Sequence, residues 1–384
     1  MHLVMAGVTA PSHIYPSLAL ISELVSRGHR VSYAVGEQLT ELVAPTGAEV
    51  VSYTSALPDA DLEWPDDIGA AMQLFLDEAT SMLDPLLDRV KRPDAVLYDI
   101  GGFAGRVAAH RWGVPAVQLS PTYVAWEGYE QDTAEQNLAL KASPSGARFY
   151  ANLRGWLADN EVQLDADIFL GRPDACVVLI PRVMQPHADR VGPRYVFAGP
   201  CIDRTRTAGW SPDPGDERPL GYVSFGTAYT DQPGIYRLCV EQFAKTHRLV
   251  LATGKVDPAD LGPLPAGVRA ARTQPQLDVL AHASVFITHA GMGSSVESLW
   301  FGVPTVAIPQ AVDQFANAAR LDALGAGVHL PAEQVDGESL RAAVAAAAAR
   351  TERVHELRRE VRNSGGVEVA ADTVEHLCTQ GVVR

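Results

Sequence analysis

The residues best able to do chemistry lie between positions 288 and 317, in the run THAGMGSSVESLWFGVPTVAIPQAVDQFAN. A short β-branched stretch, Val285-Phe286-Ile287-Thr288, leads into a Gly291-Met292-Gly293 turn and then an amphipathic segment from Ser294 to Gly302. That order predicts a strand, a glycine turn and a helix. The unsatisfied N–H groups around Gly291, Gly293, Ser294 and Ser295, with the positive end of the helix dipole, favour a bound phosphate without any lysine. His289 at the strand tip adds a donor, and Asp313-Gln314 downstream sets a carboxylate beside an amide.

A second constellation lies near the start of the chain. His13 falls in Gly7-Val8-Thr9-Ala10-Pro11-Ser12-His13, a loop joining the first strand to the first helix. A neutral imidazole there can take a proton from a hydroxyl near neutral pH; taken alone, a single histidine reads more readily as a capping or packed loop residue. Asp99 ends another apolar run, Val96-Leu97-Tyr98, and strand ends of one sheet converge. A carboxylate bonded to one ring nitrogen fixes the tautomer and stabilises the imidazolium. The competing reading has Asp99 capping the helix entered at Gly101.

Other chemistries find less support. Asp59-Ala60-Asp61 and Asp165-Ala166-Asp167 resemble metal-binding pairs but sit in polar, irregular stretches that suit solvated acids, so no metal is expected. Gly254-Lys255 lacks the remainder of a phosphate-binding loop, there is no Gly-x-Ser-x-Gly elbow, and the first turn offers only Gly7 toward a dinucleotide fingerprint.

These groups need elements to hold them. A chain of 384 residues exceeds what one core usually organises, and 47% hydrophobic with 20% charged residues is a globular composition. Apolar runs near residues 3–6, 30–34, 95–98, 116–119 and 175–179 alternate with helical patterns, and a second series follows at 220–227, 249–252, 285–288 and 305–308. Alternation of this kind signals parallel sheets with crossover helices. Residues 200–219, rich in proline, glycine and charge, read as the link between them. The expectation is an N-terminal domain over 1–205, a C-terminal domain over 219–365, and a last helix in 366–384. Both domains would be Rossmann-like and doubly wound, facing each other across a cleft with ligands at the strand ends.

The net charge of −15, with no basic run, excludes a nucleic-acid partner. Four dispersed cysteines show no metal or redox spacing. The first residues read as a buried strand without a basic or long apolar leader, so a cytoplasmic protein is expected. The alanine run at 342–349 is far short of the ~20 residues of a membrane span. A homodimer is an allowed assembly.

At His13-Ile14-Tyr15-Pro16-Ser17, Arg111-Trp112-Gly113-Val114-Pro115-Ala116-Val117, Leu179-Ile180-Pro181, Gln185-Pro186-His187-Ala188-Asp189-Arg190 and Pro309-Gln310-Ala311-Val312-Asp313-Gln314-Phe315, the chain resembles the bacterial antibiotic glycosyltransferases of the GT-B fold, especially the macrolide glucosyltransferases. The resemblance covers nearly the whole chain. It implies an inverting, metal-independent transfer of a sugar from a nucleotide diphosphate to a hydroxyl of a lipophilic acceptor, with the nucleotide sugar as co-substrate and no cofactor. It makes His13 the base and Asp99 its partner. His289, Ser224, Thr227 and the amides from Gly291 to Ser295 become the diphosphate cradle, Glu297 the ribose contact, and Asp313 and Gln314 the grip on the transferred sugar. It also implies that the final helix crosses back onto the first domain.

Many relatives place a tryptophan three residues before the glutamine of a Trp-x-Pro-Gln segment. Here the segment reads Thr273-Gln274-Pro275-Gln276, which keeps Gln276 as a donor contact but removes the ring that stacks on the base. UDP-glucose is the first expectation for the donor, and a TDP-deoxysugar the alternative. Aromatic and apolar residues in loop-rich sequence, Trp64, Met72 and Phe75 in one stretch and Tyr123 and Trp126 in another, are candidates to line an acceptor pocket for a macrolide or related polyketide. A nucleotide-sugar epimerase and a non-catalytic binding protein are the remaining alternatives; neither explains a paired His13 and Asp99 as directly.

Overall fold

Leu3, Val4, Met5 and Ala6 are all buried because β1 (His2–Ala6) is a central strand covered on both faces. It belongs to the first of two units in the computed structural model, which describes residues 1–58, 64–227 and 230–380. The first unit is Met1–Ile202 with Gly365–Arg384, the second Asp203–Ser364.

In the first unit, β2 (Arg30–Gly36), β3 (Glu49–Tyr53), β4 (Ala95–Asp99), β5 (Ala116–Ser120), β6 (Cys176–Val178) and β7 (Tyr195–Phe197) join β1 in the order β3-β2-β1-β4-β5-β6-β7, with every pairing parallel. Alternate side chains serve opposite faces. Leu3, Met5 and Leu97 pack under the helix Pro11–Ser26, while Val4, Ala6, Val96 and Tyr98 pack under the helices Ile68–Arg89 and Phe103–Trp112. The strand order reverses between β1 and β4, so the two helices that follow these strands leave on opposite faces. Ala6 pairs with Tyr98, which sets Asp99 level with the point where the chain leaves β1.

The second unit repeats the plan. Strands β8 (Leu220–Ser224), β9 (Arg248–Ala252), β10 (Val268–Ala271), β11 (Ala283–Thr288), β12 (Thr305–Ala307) and β13 (Gly327–His329) form a parallel sheet in the order β10-β9-β8-β11-β12-β13. The order reverses between β8 and β11, and Thr288 pairs with Ser224.

The sequence pattern finds the inner strands and misses β3, β7, β10 and β13, the four edges of the two sheets. Each edge strand is short or partly exposed, so it lacks the continuous apolar run of a strand buried on both faces. The segment read as a link also differs from expectation, since from Asp203 onward it belongs to the second unit. The N–H groups of Ala208 and Trp210 donate to one carboxylate oxygen of Asp278 at 2.8 and 2.9 Å, and Trp210 packs on the core that contains Tyr222 and Phe286. A buried acid satisfies the backbone of a segment whose composition looks loose.

The last helix, Val367–Gln380, packs in the first unit through Ala370, Ala371 and Val374 on the core beneath Pro11–Ser26. The turn into it needs glycine: Gly365 has φ +148, and a Cβ there would lie 2.6 Å from the Ala198 carbonyl oxygen. Gly366 N–H then donates to that same oxygen at 2.7 Å. Arg27 reaches Asp372 and Glu375, and His29 Nε2 meets Glu375 at 2.8 Å, but these groups are partly exposed and contribute less than the apolar contact. Val374 is fully buried. Val374→Ala is therefore expected to cost the first unit about 2 kcal/mol, read as a lower urea midpoint, whereas Asp372→Ala shifts the midpoint by a small fraction of that.

Candidate active site

His13 is the third residue of the helix Pro11–Ser26, whose start is fixed by proline at its first position after an extended Ala10. Its Nδ1 lies 2.8 Å from Asp99 Oδ1. The Asp99 carboxylate is 2% exposed and Oδ1 also accepts the Gly101 N–H at 3.0 Å. The capping alternative does not hold, because the following helix has Gly102 at its N-cap and no side-chain cap. An ionised Asp99 accepts from Nδ1–H, which places the imidazole lone pair on Nε2. The imidazole is thereby oriented by a buried carboxylate at the point where strand order reverses.

Two of the acceptor candidates accompany it. The Phe75 ring centroid is 6.3 Å from that of His13, and Trp64 packs on Phe75 at 5.8 Å. Met72, one turn before Phe75 on the same helix, borders the core. Trp126 belongs to a different cluster, with Tyr129 at 4.9 Å and His187 at 4.8 Å, and its indole N–H donates to Asp132. Half-buried Tyr123 precedes Val124, whose N–H and carbonyl are both held by the Gln185 amide.

Sequence reasoning passed over Glu78, which is 2% exposed on the helix Ile68–Arg89. Its carboxylate accepts from Tyr53 O–H at 2.5 Å, Ser55 O–H at 2.7 Å and Ala56 N–H at 2.8 Å. Tyr53 in turn bonds Thr9, whose hydroxyl oxygen accepts the Gly36 N–H. The ends of β1, β2 and β3 are thus tied to one buried acid. The available signal was an acid among Leu76, Ala79, Met82 and Leu83, at a spacing that turns it toward the core. Of the acid pairs weighed as metal ligands, Asp59 and Asp61 lie outside the described residues. Asp165 caps the helix Ala166–Leu170 and Asp167 pairs with Lys141.

In the second unit His289 follows β11 directly and is 9% exposed. Gly226 has φ +78, and a Cβ there would sit 2.6 Å from His289 Nε2; one on Gly291 would sit at 2.5 Å. The ring occupies the space that two glycines leave open. Ala290, between His289 and Gly291, has φ +62, a conformation uncommon for a residue with a side chain and concentrated at functional turns. Burial pushes the imidazole down to about 4, with a hydrogen bond to the Ser224 main chain working the other way. Burial therefore favours the neutral imidazole of His289 in the physiological range.

The helix Met292–Phe301 begins at Gly291 with no side-chain cap. Its first intrahelical bond runs from Ser295 N–H to Gly291 O at 2.9 Å, so the amides of Met292, Gly293 and Ser294 are the ones that precede it. A Cβ on Gly293 would meet nothing within 4 Å. Ser295 departs from expectation: it is fully buried, and its amide and hydroxyl both go to Gly291 O. Ser224 is buried at the end of β8, and Thr227 beyond it is exposed.

Glu297 is buried rather than a surface acid. Oε2 accepts from Gln276 Nε2 at 2.5 Å and Oε1 from Arg206 Nη1 at 2.7 Å. Arg206 lies in the segment read only as a link, and no sequence signal singled it out. Asp313 is exposed, with Oδ2 accepting from Asn317 Nδ2 at 2.9 Å. Gln314 is buried and its Oε1 accepts the N–H groups of Gln310 and Ala311, which leaves the amide nitrogen as its donor end. The preceding Val312 has φ +45 while 72% exposed, an outlier for a β-branched residue that the turn imposes.

Comparison with known proteins agrees with this architecture. Residues 239–375 match the family model of the erythromycin biosynthesis protein CIII-like C-terminal domain. The chain is 42% identical to the oleandomycin glycosyltransferase of Streptomyces antibioticus, covering 97% of this chain and 90% of that one. It is 30% identical to the demethyllactenocin mycarosyltransferase of Streptomyces fradiae, covering 98% and 86%. Among solved structures, the glycosyltransferase of kitacinnamycin superposes with a TM-score of 0.89 at 42% identity, covering 98% of both chains. The chain belongs to the GT-B antibiotic glycosyltransferases of the macrolide type. It is a glycosyltransferase.

The lowered His289 pKa fixes the sign of a stability effect. The unfolded imidazole protonates near 6.5 and the native one near 4, so the unfolded state binds more protons in that window. Stability contributed by neutral His289 is present above pH 6.5 and falls by roughly 3 kcal/mol toward pH 4. Urea midpoints at pH 7.5 and 4.5 are expected to show this slope, and His289→Gln to flatten it.

Proposed function

We propose that this enzyme moves a hexose, glucose from UDP-glucose by first choice, to a hydroxyl of a lipophilic natural product such as a macrolide, with inversion and without a metal. The observation that carries the reading is the 2.8 Å bond between His13 and Asp99. His13 Nε2 takes the acceptor hydroxyl proton as the oxygen attacks the anomeric carbon, and the bond from that carbon to the diphosphate breaks. Asp99 stabilises the imidazolium that forms. Charge grows on the departing diphosphate, which neutral His289 and the amides of Met292, Gly293 and Ser294 receive. Glu297 takes ribose hydroxyls, and Asp313 with the Gln314 amide holds the transferred sugar. Trp64, Met72 and Phe75 supply apolar surface beside the base, with Tyr123 and Trp126 extending acceptor contact. One displacement needs no covalent intermediate.

A TDP-deoxysugar is the second reading. It draws support from exposed Thr273 at the position of a stacking tryptophan and from the relative named for mycarosyl transfer.

The test is mass spectrometry of reactions with UDP-glucose or TDP-glucose, EDTA, and a panel of macrolides and polyphenols. A hexose mass gain on one acceptor is expected; conversion of the nucleotide sugar without an acceptor would overturn the reading in favour of an epimerase. His13→Ala is expected to lower turnover by about 10³ while UDP binding by calorimetry is retained, and Asp99→Asn to lower it less. Asp313→Ala is expected to raise the UDP-glucose KM about tenfold with the affinity for UDP itself unchanged.

A further inference from the structure

Glu297 sits four residues beyond Gly293 on one helix, a rise of about 6 Å from the amides at the helix start. That is the order of separation between a nucleotide's phosphates and the hydroxyls of its sugar ring. Its side chain is only 8% exposed, and a buried carboxylate is stabilised by a well-placed countercharge. Helix Gln276–Leu280 supplies one amide partner, Gln276; the countercharge comes from Arg206, in the segment that precedes β8. The second oxygen is fixed by Gln276, whose own orientation is set by Tyr222: the phenol donates to Gln276 Oε1 at 3.3 Å, which turns Nε2 toward Glu297. Each oxygen therefore has one strong partner and one further lone pair. Two lone pairs on one rigid carboxylate match the hydroxyls on adjacent carbons of a ribose.

The geometry points to Arg206 as a positioning residue that sets the preference for ribonucleotide over deoxyribonucleotide donors, by holding the Glu297 carboxylate aligned for the 2′- and 3′-hydroxyls together. This rests on the reading of Glu297 as the donor ribose contact. A deoxyribose offers the carboxylate one hydroxyl and a ribose two, so disturbing the carboxylate costs the ribonucleotide more.

The experiment is calorimetric titration of the full chain with UDP and with 2′-deoxyuridine diphosphate, which differ only in the 2′-hydroxyl. The wild type is expected to prefer UDP by about tenfold or more. Arg206→Ala is expected to weaken UDP about tenfold and the deoxy analogue about threefold or less, so that the preference shrinks, and Arg206→Lys to recover part of it. In a Glu297→Gln background Arg206→Ala is expected to do nothing further. With UDP-glucose the same variant raises KM while kcat at saturation is kept, the signature of lost uniform binding. If Arg206→Ala does not fold, Arg206→Gln, which keeps a donor to Glu297 without the charge, is titrated in its place and the preference still falls. A wild-type ratio retained in the variant that binds UDP overturns the role of Arg206 alone. A wild type that binds neither nucleotide overturns the donor site and this inference with it.

Discussion

The structure depends on one constraint, imposed twice. In a doubly wound parallel sheet the strand order must reverse once, and the helices after the two strands at the reversal leave on opposite faces. The carboxyl ends of those strands then stand side by side. In the first unit the reversal lies between β1 and β4, which is why His13 and Asp99, 86 positions apart, meet at 2.8 Å. In the second it lies between β8 and β11, so the Ser224-Phe225-Gly226 turn meets His289. Neither pair is held by local sequence.

The electrostatics follow a shared logic. In a chain of net charge −15, the start of the helix Met292–Phe301 presents oriented neutral dipoles: helix amides and an imidazole kept uncharged by burial. Three buried acids each have explicit partners. Asp99 has His13 and the Gly101 amide; Glu78 has three donors; Glu297 has Arg206 and Gln276. Because the partners of an ion buried in low dielectric fix its direction, these acids act as rigid anchors for the loops around them.

Part of the backbone strain falls at the same places, while Glu161 and His187 take positive φ elsewhere. Ala290 and Val312 adopt positive φ next to His289 and Asp313, and Gly226 supplies the same conformation where a side chain would collide with the ring. Such turns persist only when the surrounding structure fixes them, here the buried strands on one side and the buried first turn of a helix on the other.

Local sequence by itself determined the parts whose signal is local. The inner strands were legible because burial on both faces demands an unbroken apolar run, and the helix at Gly291 because a glycine turn and amphipathic spacing mark it. His13, Asp99 and His289 were legible as residue types at strand ends, and Glu297 through the family resemblance. The tertiary structure alone decided what no spacing encodes: the four edge strands, whose sides half-face solvent; the attachment of residues 203–218 to the second unit, through Asp278; and the hydrogen bonds that commit Ser295 and the Gln314 oxygen to the backbone. Arg206 and Glu78 belong here too. Their partners lie on other elements, and a side chain's role as countercharge or anchor depends on which distant group the fold brings within 3 Å of it.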